Sequence, residues 1–221
     1  MPRNATLLPE LALAEQGSRL IAGIDEVGRG ALAGPVTIGV TVLDLADPEV
    51  AEVSPVTGVF PALDGVRDSK LLTRRARTRW APIIRETVSA YSVQHRSPED
   101  IDARGITEAL REAGLEGLNA VERQLGRPLD AVILDGSHDW LTRGSSPRVH
   151  PMVKADTLSL CTAAASVLAK VERDALMQEL HGEFPDYSWD TNCGYGSRAH
   201  QAALRSAGAT RHHRMSWNLG I

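Results

Sequence analysis

The sequence predicts an α/β fold, a sheet covered by helices on both faces. Three observations point there. Two strand-like runs, Leu20 to Val27 and Val36 to Leu45, are joined by a tight glycine-rich turn. A short, fully apolar run, Ala131-Val132-Ile133-Leu134, suits the middle of a covered sheet. Between and after these lie long segments whose apolar residues recur at helical spacing.

Taken in order, Leu7 to Leu20 contains a short leading helix, with Leu8, Leu11 and Leu13 apolar, Glu10 and Glu15 polar, and Gly17-Ser18 as its end. The first two strands follow. Asp47-Pro48 opens an irregular stretch to about Val66, punctuated by Pro55, Gly58, Pro61 and Gly65, which predicts a mobile surface loop. Thr73 is placed to N-cap a helix carrying Arg74, Arg75, Arg77 and Arg79, and Pro82 is expected to kink or restart it. Val88 to His95 alternates as a third strand. Ser97-Pro98-Glu99-Asp100 supplies an N-cap, a proline at the first helical position and an acid at the end of the first turn. From Ile106, residues Leu110, Ala113, Leu118, Val121 and Leu125 repeat helically until Gly126-Arg127-Pro128. The apolar strand ends at Asp135-Gly136, a polar loop runs from Ser137 to Pro147, and Val149 to Val153 reads as a fifth strand. Asp156 precedes a long helix from Thr157 to about Leu180, stopped by Gly182 and Pro185, and Ala199 to Ala207 forms a last short helix.

The 221 residues, 43% hydrophobic and 24% charged, suit one globular domain over 1–221. No apolar run approaches the length of a membrane-spanning helix, so no membrane partner is expected, and Met1-Pro2-Arg3-Asn4-Ala5 lacks signal-peptide architecture. Cys161 and Cys193, the two cysteines, exclude a disulfide framework and suit a cytoplasmic setting; Cys161 reads as a small core residue. A net charge of −4 excludes a globally basic nucleic-acid binder. Charge is nonetheless uneven. Thr191 to Ile221 contains no Asp or Glu but holds Arg198, Arg205, Arg211, Arg214, His200, His212 and His213, and a second basic run comprises Lys70, Arg74, Arg75, Arg77 and Arg79. Such stretches are either solvated faces or a local phosphate-binding surface.

The chemistry-bearing stretch is Ile21 to Val36. Asp25 and Glu26 end an apolar strand, where carboxylates either reach solvent or need a partner such as a divalent cation. The following Gly28-Arg29-Gly30-Ala31-Leu32-Ala33 also fits a relaxed dinucleotide fingerprint, which requires a helix to start at the turn. Here Gly34-Pro35 and a β-branched run follow, so the unit is strand, turn, strand, and a nucleotide-cofactor enzyme is disfavoured. Asp135 closes another strand and Asp156 stands where a helix begins. Strand ends are where sites gather in open α/β sheets, yet each acid alone also fits an ordinary turn or helix start.

Asp25-Glu26-Val27-Gly28-Arg29-Gly30 with Leu32-Ala33-Gly34-Pro35 resembles the signature of bacterial ribonuclease HII, a type 2 ribonuclease H. Leu134-Asp135-Gly136, Lys154-Ala155-Asp156, the alanine-rich helix from Thr162 to Asp174, Asp68-Ser69-Lys70, the segment Gly194 to His200 and His213-Arg214-Met215-Ser216-Trp217 follow in that family's order over most of the chain. The resemblance implies a ribonuclease H-like fold, a central mixed five-stranded sheet flanked by helices with a small C-terminal helical segment, about 191–221, for substrate binding. It implies two-metal phosphodiester hydrolysis with two Mg²⁺ or Mn²⁺ ions held by Asp25, Glu26, Asp135 and Asp156, Asp25 being shared. It implies an endonuclease for RNA–DNA hybrids and for single ribonucleotides in duplex DNA, cutting on the 5′ side. Gly28, Arg29 and Gly30 would read the 2′-hydroxyl and Tyr195 would pack on the next sugar. Lys70, Arg173 and Arg198 are candidate phosphate contacts. A monomer is expected. A silent nucleic-acid-binding domain on the same fold is the competing reading, against which the intact acidic set stands. The chain departs from the family in having Ala31 for a usual proline and Cys193 for a usual lysine, which bears on substrate affinity. The His212-His213 pair could suggest a metal site, but the neighbouring arginines favour a phosphate-facing tail.

Overall fold

A computed structural model describes residues 4–142 and 148–221. Met1 to Arg3, and residues 143–147 of the polar stretch expected from Ser137 to Pro147, lie outside the described residues.

Five strands form one mixed sheet: β1 (Leu20–Val27), β2 (Val36–Asp44), β3 (Ala90–Arg96), β4 (Ala131–Asp135) and β5 (Arg148–Met152). Their order is β3-β2-β1-β4-β5. The tight turn makes β1 and β2 antiparallel, as does β2 with β3, whereas the helical crossovers leave β1, β4 and β5 parallel. The first two strands are buried along almost their whole length, the mark of a sheet covered on both faces.

Helix α5 (Ile106–Leu125) covers one face, packing on β2 and β3. Helix α7 (Leu160–Glu183) covers the other, across β1 and β2. Its approach is close. A methyl group at Gly23 would strike the backbone between Cys161 and Thr162, and one at Gly39 would strike the Ala165 carbonyl oxygen. The side facing α7 is completed by α3 (Arg74–Thr87), whose Trp80, Ala81 and Ile84 enter the core. Thr73 caps α3 as expected, accepting from the Ala76 N–H at 3.2 Å. Pro82 neither ends nor restarts that helix, because burial of the adjoining apolar face outweighs one missing backbone hydrogen bond.

Other expectations change in the structure. The stretch before Val66 contains the short helix α2 (Pro48–Ala51), and Val50, Val53, Phe60, Leu63 and Val66 are buried in the core, so it is anchored and not the mobile surface loop expected. The leading helix α1 is only Leu8–Ala14, and Glu10, expected on a polar face, is fully buried. Ser97 and Asp100 form the capping box that starts α4 (Pro98–Arg104). The single long helix expected after Asp156 is two: α6 (Ala155–Leu158) and then α7, separated by Ser159, whose side chain caps the second. Glu10 holds this joint, accepting from Ser159 Oγ at 2.6 Å and Cys161 N at 2.9 Å. The C-terminal part adds α8 (Trp189–Asn192) and α9 (Arg198–Ala207) around a separate cluster of Met177, Tyr187, Trp189, Leu204 and Leu219.

Because α7 lies against glycine, replacing Gly39 with Ala must push backbone apart. Gly39→Ala is expected to lose about 1–3 kcal/mol of stability, the usual cost of overfilling a packed interior. Urea denaturation measures it, and an unchanged midpoint would contradict the close approach.

Candidate active site

Asp25 stands on β1, two residues beyond Gly23 on the side that meets α7. The parallel register pairs Ile24 with Leu134, so the next step along both strands brings Asp25 and Asp135 to the same end of adjacent interior strands. Asp135 turns to accept the Ala155 N–H at 2.7 Å, which draws the start of α6 against the end of β4. Asp156, the next residue, is thereby brought to the same place and is 5% exposed. Lys154 supplies the bend with a left-handed backbone, φ 60°. Glu26 is half-buried and reaches Arg29 at 3.4 Å. Four acids separated by up to 131 positions in the chain thus share one neighbourhood.

A fifth acid, Asp68, is buried beside them and went unassigned in the sequence reading. Its side chain accepts the Lys70 N–H at 2.9 Å, and the Lys70 ammonium lies 4.0 Å from Asp68 and 3.6 Å from Asp156. Ser69 and Ser166 hydrogen-bond to each other at 2.9 Å, tying this segment to α7. Only the resemblance of Asp68-Ser69-Lys70 to a family motif hinted at it, since a lone Asp before a helical turn otherwise reads as a cap.

The electrostatics of the cluster are strained. Burial raises the Asp25 carboxyl well above the usual aspartate range, and Glu26, Asp135 and Asp156 add to the rise while a hydrogen bond with Ser166 opposes it. Burial likewise raises Glu26, with Arg29 opposing, and raises Asp156, with Asp68 and Asp135 adding. Burial alone would lower Lys70, but Asp25, Asp68, Asp156 and Asp135 together hold it above its ordinary value. Asp25 Oδ2 is buried with no hydrogen-bond partner. An orphaned carboxylate oxygen among other hard oxygen donors fits a divalent cation such as Mg²⁺ or Mn²⁺. Among the described residues, no three such groups are already gathered at ligating distances, so the fit rests on that orphaned oxygen and the donor chemistry.

Beside the acids lies the turn. Gly28 has φ +84°, and a side chain there would collide with the Arg173 guanidinium. Arg29 and Gly30 are exposed, and a methyl group at Gly30 would meet nothing within 4 Å. No helix starts at this turn, which removes the dinucleotide reading. Glu26, Val27, Ser69, Lys70, Lys170 and Tyr195 line a cavity of about 350 Å³. Tyr195 is 39% exposed and not a core tyrosine; its loop presses on the turn through Gly194, whose carbonyl accepts from Leu32 N and Ala33 N. Arg198 is exposed at the start of α9.

Two expectations are corrected. Arg173 is fully buried and gives its donors to the carbonyls of Pro35, Cys193 and Ala33, so it cannot meet a phosphate. The C-terminal tail is not a uniformly phosphate-facing basic strip either. His200, His213 and Arg214 are interior, with His200 Nε2 3.0 Å from His213 Nε2, and burial and the neighbouring His200 lower His213 to about 4. A neutral His213 that accepts from Thr210 N at Nδ1 is a core hydrogen-bonding group.

The family profile described as Ribonuclease HII matches residues 22–219. A ribonuclease HII of Streptomyces coelicolor is 46% identical over 204 residues, covering 92% of this chain and 79% of that one. The crystal structure of the ribonuclease H2 from Pyrococcus horikoshii superposes with a TM-score of 0.70 at 25% identity, covering 90% and 94% of the two chains. The RNase HII of Archaeoglobus fulgidus, solved in complex with PCNA, gives 0.68 at 28% identity, covering 90% and 95%.

The raised acids set a sign for stability. A carboxyl whose value is raised on folding favours the fold when protonated and opposes it once ionised. In chelator, Asp25→Asn is therefore expected to melt above the unsubstituted protein at neutral pH, with the gain shrinking as pH falls toward about 4, the ordinary aspartate value. Adding Mg²⁺ or Mn²⁺ is expected to raise the melting temperature of the unsubstituted protein more than that of the variant. Thermal melts across pH check both, and a gain independent of pH would contradict the repulsion described here.

Proposed function

The chain belongs to the ribonuclease HII family, endonucleases that hydrolyse RNA in RNA–DNA hybrids, and on that premise we propose that it also cuts on the 5′ side of a single ribonucleotide embedded in duplex DNA. The products would be a 5′-phosphate and a 3′-hydroxyl. The observation that carries this reading is the adjacency of an oxygen-rich carboxylate cluster to a turn whose backbone is open to a ribose.

Asp25, Glu26, Asp135 and Asp156 are the residues we assign to hold two divalent ions, Mg²⁺ or Mn²⁺. Such ions would supply activation of a water and charge stabilisation at the leaving oxygen. The chain's own groups do the rest. Lys70 sits at the rim of the acids with an exposed side chain, its ammonium 4.0 Å from Asp68 and 3.6 Å from Asp156, placed to meet a phosphate oxygen. Gly28, Arg29 and Gly30 admit a sugar edge without side-chain obstruction, which supports reading of the 2′-hydroxyl. Tyr195 lines the same cavity and is 39% exposed, so its ring is available to the next sugar. Arg198 is free to contact the backbone of the duplex.

No helix among the described residues is long and apolar enough to cross a membrane. We assign the chain to the cytoplasm, as one catalytic unit over 1–221 that acts as a monomer. Residues 191–221 serve the substrate side, and the biological task is removal of misincorporated ribonucleotides and primer RNA.

Asp135→Asn tests the site. With Mg²⁺ or Mn²⁺, the unsubstituted protein is expected to make one cut in an end-labelled duplex carrying a single ribonucleotide, and none in chelator. The variant is expected to lose at least about 100-fold in cleavage, more than an outer partner of a metal ligand costs, while keeping its affinity for the hybrid. Undiminished cleavage would remove Asp135 from the site. No cut by the unsubstituted protein on either the single-ribonucleotide duplex or a long hybrid would favour the silent binding domain.

A further inference from the structure

Two buried arginines lie beneath the glycine turn, and every hydrogen bond their guanidinium groups make among the described residues goes to a backbone carbonyl. Arg173 holds the far half of the turn, as described. Arg214 holds the near half: Nη2 donates to Gly28 O at 2.6 Å, Nη1 to Arg29 O at 2.8 Å, and Nε to Gly34 O at 3.3 Å. The backbone around it is paired with the same turn. Arg214 N donates to Leu32 O at 2.9 Å, Gly34 N donates to His212 O at 2.8 Å, and Ala33 bridges His213. The Trp217 ring lies 4.9 Å from the guanidinium carbon and closes its other side.

The consequence follows from the planar trans peptide, in which the C=O and the next N–H point in opposite directions. Drawing the Gly28 carbonyl inward turns the Arg29 N–H outward. Drawing the Arg29 carbonyl inward turns the Gly30 N–H outward. Neither N–H has a hydrogen-bond partner among the described residues, whereas Ala31, Leu32, Ala33 and Gly34 all donate within the protein. Gly30 faces open space. The turn therefore presents two adjacent donors with no partner among the described residues, directly after Glu26 and Val27, which line the groove with Tyr195.

We propose that Arg214 is the positioning residue for ribose recognition, gripping the Gly28 and Arg29 carbonyls so that the Arg29 and Gly30 N–H groups face the substrate's 2′-hydroxyl. This rests on the reading that the turn meets that hydroxyl. Arginine suits the task because its planar fork spans carbonyls of three residues at once, which the single ammonium of lysine cannot do. Burial, and then the charge of Arg173, lowers Arg214 to about 10, so it remains a cation at neutral pH. A charge interred with only carbonyl partners is costly, and its donors are what keep the Gly28 and Arg29 carbonyls turned inward.

The test compares binding of the full-length protein, in chelator so that nothing is cut, to two duplexes identical except for one ribonucleotide. Wild type is expected to prefer the ribonucleotide duplex. Arg214→Lys and Arg214→Met are each expected to lose at least tenfold of that preference while their affinity for the all-DNA duplex changes less than threefold. A merely structural arginine would weaken both duplexes alike or neither, and preference retained in folded Arg214→Lys overturns the inference. Should both variants fail to fold, Trp217→Leu removes the ring beneath the guanidinium while leaving its donors; a reduced preference then supports the positioning role and an unchanged one overturns it. Absence of any preference in wild type is a separate result, which would remove the 2′-hydroxyl reading of the turn and the role of Arg214 with it.

Discussion

Helix α7 can lie on the sheet only because Gly23 and Gly39 leave room for its backbone, and the rest of the molecule hangs on that contact. Ser166 reaches the floor of the carboxylate cluster from the middle of this helix, Arg173 reaches the glycine turn two helical turns later, and Met177 joins the C-terminal core one turn beyond. The start of the helix is held by Ser159 and by Glu10 from α1. Burial raises the Glu10 carboxyl even with those hydrogen bonds in place. A single helix therefore touches the acids, the turn and the C-terminal segment, and a shift of its position would misplace all three.

On this frame two sets of like charge face each other across the turn. On one side Asp25, Glu26, Asp68, Asp135 and Asp156 are crowded at the ends of β1 and β4, offset in the protein itself mainly by Lys70. On the other, Arg173 and Arg214 are buried against carbonyls. Neither arrangement minimises the energy of the folded chain alone. Both make sense if a polyanionic strand and divalent cations complete the site: cations between the acids and the phosphate, and amide donors held by the arginines against the sugar.

The acids stand out as a set through the order of the family's motifs. A carboxylate pair at the end of an apolar strand, an acid closing a short buried strand and another at a helix start each also fit an ordinary local role. The burial of the arginines is not legible in the sequence. Arg214 looks in sequence like a member of a basic, phosphate-facing stretch and Arg173 is a phosphate contact by resemblance, yet their partners are carbonyls up to 186 residues away, and burial made by such distant partners leaves no periodic trace. The same holds for His200 and His213, two members of the basic C-terminal stretch whose ring-to-ring hydrogen bond is part of interior packing. Asp68 escaped for the opposite reason, since its cap-like position is an adequate local explanation.

What the sequence determined by itself was the set of elements and the chemistry they carry. Apolar runs, glycine turns and caps place all five strands to within about two residues, because backbone propensity and burial pattern are encoded within each segment, while Asp25, Glu26, Asp135 and Asp156 are singled out as a set by the family resemblance. Only the tertiary structure decided how the segments share space. It kept α3 unbroken through Pro82, anchored the stretch before Val66 in the core, split the helix after Asp156 at Ser159, and sent two arginines inward to hold the turn. Each of those outcomes depends on packing and on carbonyl partners supplied by distant parts of the chain, and such energies exist only once the fold has brought them together.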